Sequence, residues 1–184
     1  MPLFDGAFPK RPSFYADEVI NTAAEKIGRE LAKAWGEADS QAEKIIDELK
    51  EVLSVQYDID GYKIARELEN QFYYELDSQD VDILDGVYLA MISKYQQLIK
   101  EWVRKYSIKA KLKVGDKVRH TNQVQKLKDA FPNGVEVEIV SVDDEQYKYG
   151  VYHPDFCVRK GEGGGTLSFL VPCEQFDTIQ GDIT

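Results

Sequence analysis

The feature that most constrains the fold of this chain is a change in hydrophobic spacing near Ile108. Before it, apolar residues recur every three or four positions, which places them on one face of an α-helix. After it, short runs alternate apolar and polar residues, as half-buried strands do. We therefore predict a helical part over about residues 13–107 and a β-rich part over about residues 112–180. Three prolines in residues 1–12 forbid a regular helix there, so this segment is predicted to be an irregular arm.

The helical part divides into about four amphipathic helices. Gly36 is placed to end the first helix, because glycine readily adopts the left-handed conformation that ends helices. Ser40 and Glu43 have the spacing of a capping box at the start of the second helix, and Asp60 can cap the third. The fourth helix is long, with an apolar stripe that reaches Tyr106. Four such helices with short connections predict a compact bundle.

The β-rich part contains several short runs of strand-forming residues separated by turn residues such as Pro132-Asn133-Gly134. The alternation of Lys109–Val114 is a further strand signal, and five short strands in about 70 residues predict a small barrel, closed to remove its edges. The other four runs are Lys117–His120, Val135–Val142, Tyr147–Tyr152 and Thr166–Val171.

Residues 114–119, Val-Gly-Asp-Lys-Val-Arg, resemble the opening strand of SH3-like barrels of the KOW and Tudor kind. The resemblance covers about residues 112–180 and departs from the common pattern in a long first loop, residues 121–132. It implies a fold and a tendency to bind, but no particular activity. The expected fold class is therefore α+β, a helical bundle followed by an SH3-like five-stranded β-barrel.

The charge of the chain is distributed unevenly. Residues 37–85 contain 15 Asp and Glu against 4 Lys and Arg, a net charge of −11, within a total of −10 for the chain. Residues 94–128 contain 11 Lys and Arg against two acidic residues, a net charge of +9. The two charged surfaces can simply be solvated and partly neutralise each other within the fold.

Two binding functions follow from the same charges. The acidic part can dock on a basic protein, as accessory or inhibitory proteins of phages and mobile elements do by analogy, or the basic segment can bind nucleic-acid phosphates. The overall negative charge favours the protein partner, because long-range steering follows the summed field. The candidate residues for the acidic docking face are Asp77, Asp80, Asp82 and Asp85. Those for the nucleic-acid alternative are Lys105, Lys109, Lys111, Lys113, Lys117 and Arg119.

Catalytic chemistry has little support in the sequence. The imidazoles are limited to His120 and His153, and no nucleophile-elbow motif occurs. The two cysteines, Cys157 and Cys173, form no disulfide framework and are expected to be reduced. We therefore expect no catalytic residues, no cofactor and no metal site, with an enzyme of unidentified class as the remaining alternative.

The location and one further binding mode also follow from the sequence. The chain lacks both a signal-like apolar segment and the run of about 18 apolar residues that a membrane span requires, which predicts a cytoplasmic protein without membrane contact. Aromatic residues of the β-rich part could form a cage for a cationic group, although about half of them must face a core. These aromatics are Tyr147, Tyr149, Tyr152, Phe156, Phe169 and Phe176.

Overall fold

The computed structural model divides the chain into two compact units, residues 1–99 and 100–184. The division falls inside a helix, between Ile99 and Lys100. The predicted bounds of the arm, the helical part and the β-rich part stay predictions. The structure describes residues 10–56, 58–110, 112–120, 136–145, 148–152, 169–172 and 176–177.

Five helices occur in the described part of the chain, where about four were predicted. A break at Asp85 separates a short α4 from the long helix that follows. The helical content predicted for this region is confirmed. The helices are α1 (Asp17–Trp35), α2 (Asp39–Val55), α3 (Gly61–Phe72), α4 (Ser78–Leu84) and α5 (Gly86–Lys105).

The core of the first unit is formed by the apolar faces of these helices. Ile27 and Leu31 of α1 and Ile46 of α2 are almost completely buried. The closest approach is at Gly28, where an added Cβ would lie 2.6 Å from Cγ1 of Ile46. Burial of each such large apolar side chain contributes about 1.5–3 kcal/mol, so packing rather than helix propensity holds the unit together.

Local signals mark two of the helix ends correctly and one incorrectly. Gly36 ends α1 with φ of 69°, and the Asp60 side chain accepts a hydrogen bond from Lys63 N at 3.1 Å at the start of α3, which confirms both predictions. The capping box predicted at Ser40 is wrong. Ala38 is the last extended residue before α2, so Ser40 already lies inside the helix. Glu43, the other residue of the predicted box, instead forms an ion pair with Arg29 of α1.

The described strands of the second unit pair antiparallel in the order β4-β3-β2-β1-β5. In the register of β1 and β2, Val118 faces Val137, and the pairing of β2 with β3 is irregular between Ile139 and Ser141. Val137 and Ile139 are buried, two positions apart on one face of β2. The strands are β1 (Lys117–His120), β2 (Glu136–Asp143), β3 (Lys148–Tyr152), β4 (Phe169–Pro172) and β5 (Phe176–Asp177).

The predicted fold class, a helical bundle followed by a five-stranded barrel, is wrong. The described residues are mostly helical, and among them the pairings leave β4 and β5 as the two edges of a sheet that does not close. Alternating hydrophobicity reports that a strand has one buried face, but it carries no information on closure, and β5 has only two residues. The resemblance of residues 112–180 to SH3-like barrels stays a prediction, because most of that span lies outside the described residues.

None of the described helices combines the length and the apolar character that crossing a membrane requires. The longest, α5, has 20 residues, and charged side chains interrupt it. The cytoplasmic location stays a prediction.

Candidate binding surfaces

Three of the four aspartates assigned to an acidic face serve the fold, two of them at the start of α4. Asp77 is the N-cap of α4, and its Oδ1 accepts hydrogen bonds from Gln79 N at 2.8 Å and Asp80 N at 3.1 Å. Asp80 is only 6% exposed. Its Oδ1 accepts a hydrogen bond from Trp35 Nε1 at 2.7 Å, and its Oδ2 accepts one from Asp77 N at 3.0 Å. The structure therefore uses these two carboxylates to start α4 and to fasten it to α1.

The other two aspartates lie at the far end of α4. Asp85 Oδ1 accepts a hydrogen bond from Gly61 N at 2.9 Å, which joins α3 to the end of α4. A Cβ on Gly61 would lie 2.7 Å from Asp85 N, so the close approach depends on glycine. Asp82 is exposed. Of the four carboxylates, Asp82 is therefore the one that is open to solvent and given no fastening role by the structure.

A polar cluster around Trp35 was not found by sequence reasoning. The ring of Tyr74 lies 5.4 Å from the ring of Trp35, and the Tyr74 hydroxyl donates a hydrogen bond to Glu48 of α2. Burial, and then the neighbouring Glu48 carboxylate, raise the pKa of Tyr74 well above its ordinary value. Lys44 lies 3.7 Å from Glu48 and completes the cluster. The residues come from segments far apart in sequence, so no local pattern marks them.

The formal charge of the chain belongs entirely to the first unit. Residues 1–99 contain 20 Asp and Glu against 10 Lys and Arg, whereas residues 100–184 contain 13 of each. Within residues 37–85, all four cations lie in ion pairs with carboxylates of the same segment, and Glu43 pairs with Arg29 of α1, so the segment keeps a large excess of carboxylates. These pairs are Lys44–Glu48, Lys50–Asp47, Lys63–Asp58 and Arg66–Glu69.

Two exposed tyrosines flank α3 in this acidic segment. Tyr62 is 63% exposed and Tyr73 is 88% exposed. They are eleven residues apart in sequence: Tyr62 lies in the first turn of α3, and Tyr73 directly follows its last residue with a left-handed backbone, φ of 61°. Arg66 and Glu69, joined by an ion pair of 2.9 Å, lie between them in sequence, about one and two turns after Tyr62 and on its side of the helix. We call these four residues the α3 face.

A cavity of about 660 Å³ lies in the second unit. Lys100 Nζ lies 2.6 Å from Glu145 Oε2 in its wall. The hydrogen bond from Lys100, its charge and that of Arg104 lower the pKa of the Glu145 carboxyl below its usual value. The cavity is lined by Lys100, Val103, Arg104, Ile108, Lys109, Ala110, Asp144 and Glu145.

The basic residues assigned to nucleic-acid binding are not all in one place. Lys109 lines the cavity. The Lys105 ammonium instead lies 5.3 Å from the ring centre of Tyr106. Lys113 is exposed, and Lys117 lies 3.5 Å from Glu136 on the neighbouring strand.

The remaining residues singled out in the sequence lie outside the described part of the structure. This holds for Lys111, and for the side chains of Arg119 and His120, whose backbones belong to β1. The same is true of His153, Cys157, Cys173 and the side chains of the six aromatics considered for a cage. Within the described residues, no group of three or more His, Cys, Asp and Glu is arranged to hold a metal ion.

Comparison with protein-family models, curated proteins and solved structures finds no match for this chain. No activity or partner is therefore carried over from a relative.

Proposed function

We propose that the chain is a binding protein whose acidic helical unit docks through the α3 face on the basic surface of a protein partner. The observation that carries this proposal is the pair of exposed tyrosines at the two ends of α3, set in a segment with a large excess of carboxylates. The same proposal places the protein in the cytoplasm, as its two cysteines suggest.

The tyrosines support the proposal because of what tyrosine does at interfaces. Tyrosine buries a large rigid surface at a small cost in side-chain entropy and is enriched among the residues that dominate binding energy. Single exposed apolar side chains are ordinary on protein surfaces. Two at the ends of one helix, with a polar ion pair between them in sequence, have the composition of a small interface centre with polar surroundings.

The charges indicate the kind of partner. Unmatched carboxylates attract a cationic surface over roughly a Debye length, about 8 Å at physiological ionic strength, and steer its approach. The docking carboxylates overlap only in part with those that the sequence indicated, since Asp82 belongs to both sets. Asp80 and Asp85 are engaged in the fold, whereas Glu51, Glu75 and Asp82 are exposed.

The proposal is tested with the immobilised full chain and extract of the native host, across a salt series and with or without nuclease. The test variant combines Tyr62→Ser with Tyr73→Asn, since asparagine tolerates the left-handed backbone at that position. We expect a protein that survives nuclease treatment and is retained at least tenfold less by the variant. Tyr106→Ser, an exposed tyrosine outside the acidic unit, is the matched control.

A second pair of variants tests the charge. Glu51→Gln with Glu75→Gln should slow association several-fold at low salt, and this difference should fade at high salt. Glu25→Gln with Glu30→Gln makes the same change in net charge on exposed positions of α1 and should have a smaller effect. Loss of the captured protein on nuclease treatment, or unchanged capture by the tyrosine variant, would show that the acidic unit is not the docking surface.

A further inference from the structure

The cavity in the second unit brings three cations and an apolar wall together. Lys100 and Arg104 are four residues apart on α5 and so share one side of the helix, and Lys109 follows shortly after the helix ends. Val103 and Ile108, which line the same cavity, provide apolar surface. Its volume of about 660 Å³ lies within the range of sites that bind small molecules.

Two carboxylates of the chain itself, Asp144 and Glu145, line the same cavity as these cations. Glu145, in the turn after β2, pairs with Lys100 at 2.6 Å and is close enough to Arg104 to be influenced by its charge. Both side chains of the pair remain partly exposed, 48% for Lys100 and 73% for Glu145, so water and solutes can reach them. An exposed pair of this kind is worth little, at most about 1 kcal/mol, and a stronger anion can replace the carboxylate.

We propose that this cavity binds the phosphate of a nucleotide, and that Glu145 occupies the phosphate position until the ligand displaces it. A phosphate carries more charge than a carboxylate and offers three acceptor oxygens, so it satisfies Lys100 and Arg104 together. The planar guanidinium of Arg104 suits two phosphate oxygens at once. The apolar wall of Val103, Ile108 and Ala110 takes the sugar and base.

The dipole of α5 does not supply the attraction for phosphate. The cavity lies near the C-terminal end of α5, where the helix dipole attracts cations and repels anions. Lys105 shares that favourable position but does not line the cavity, so it serves as a control for general electrostatic attraction. The side chains of Lys100, Arg104 and Lys109 must therefore supply the attraction for phosphate.

The test is calorimetric titration of the full chain with ADP at low salt, beside adenosine and inorganic pyrophosphate. We expect binding of ADP and pyrophosphate and little binding of adenosine. Lys100→Gln and Arg104→Gln should each weaken ADP binding about tenfold, while Lys105→Gln should stay within about twofold. Glu145→Gln should strengthen ADP binding several-fold, because it removes the internal competitor, and misfolding cannot imitate this gain.

A single-stranded decathymidylate separates two sources of the same phosphate. If it binds with the same pattern across the variants, and each lost cation lowers the log–log salt slope by about 0.7, the natural ligand is a nucleic-acid strand. If ADP binds and decathymidylate does not, the ligand is a free nucleotide. The proposal is overturned if neither binds, if adenosine binds as tightly as ADP, if Glu145→Gln changes nothing, or if Lys105→Gln weakens binding as much as Arg104→Gln.

Discussion

Asp80→Asn leaves a single acceptor oxygen at a buried site where two N–H groups donate hydrogen bonds. In the structure each carboxylate oxygen of Asp80 accepts one N–H, from Trp35 Nε1 and from Asp77 N. An asparagine has a single acceptor oxygen, so its amide nitrogen must face one of these two donors. The side chain keeps its size, and the effect of Asp80→Asn therefore reports on the hydrogen bonds rather than on packing.

The size of the effect follows from the burial of this site. A hydrogen bond to a charged group contributes about 1.5–3 kcal/mol, and a buried donor left without an acceptor adds to the loss. We expect Asp80→Asn to lower the free energy of unfolding by about 2–3 kcal/mol. With a urea slope of about 1–2 kcal/mol/M, the midpoint should fall by about 1–3 M.

The assay is urea unfolding of the full chain followed by circular dichroism at 222 nm, where helices dominate the signal. Asp82→Asn is the matched control, since it makes the same chemical change on the same helix at an exposed position and should stay within about 0.5 kcal/mol. Trp35→Phe should cost less in the Asp80→Asn background than in the parent. Equal midpoints for Asp80→Asn and Asp82→Asn would refute the reasoning.

Three further predictions concern the helical unit. Gly28→Ala should lower the free energy of unfolding by about 1–2 kcal/mol in urea, because its methyl group would overlap Ile46 by more than better helix propensity offsets. Tyr74→Phe should cost about 1 kcal/mol at neutral pH through the lost bond to Glu48. Because the pKa of Tyr74 is raised in the folded state, its hydroxyl loses its proton at a lower pH in the unfolded chain than in the folded one. The stability difference between the parent and Tyr74→Phe should therefore narrow above about pH 10, measured by unfolding curves at stepped pH. Tyr73→Gly should raise the free energy of unfolding by about 1 kcal/mol, and with it the thermal midpoint, because glycine adopts a φ of 61° without strain.

The parts of the fold that could be predicted are those determined by neighbours in sequence. The apolar stripes predicted helical structure, and Gly36 and Asp60 marked helix ends, since both signals act within one turn. The closure of the sheet could not be predicted, because it depends on which strands meet at the two edges. Alternation along a single strand does not contain that information.

The candidate sites divide in the same way. The basic and acidic segments were visible as composition, but the roles of single residues were not. Asp80 lies 45 residues from Trp35, so only the folded chain shows that this carboxylate is buried. The partnership of Lys100 with Glu145 is equally distant in sequence, and the cavity that they line was not predicted.

The backbone at Tyr73 has an evolutionary consequence. A side chain with a Cβ holds a left-handed conformation there at a cost of about 1–2 kcal/mol, where glycine would hold it with none. The ring contributes little to the core in return, since it is 88% exposed. Selection for stability alone would replace this tyrosine, whereas selection for docking would keep it. A screen for thermostable variants should therefore enrich glycine or asparagine at this position and lose partner binding in the same molecules.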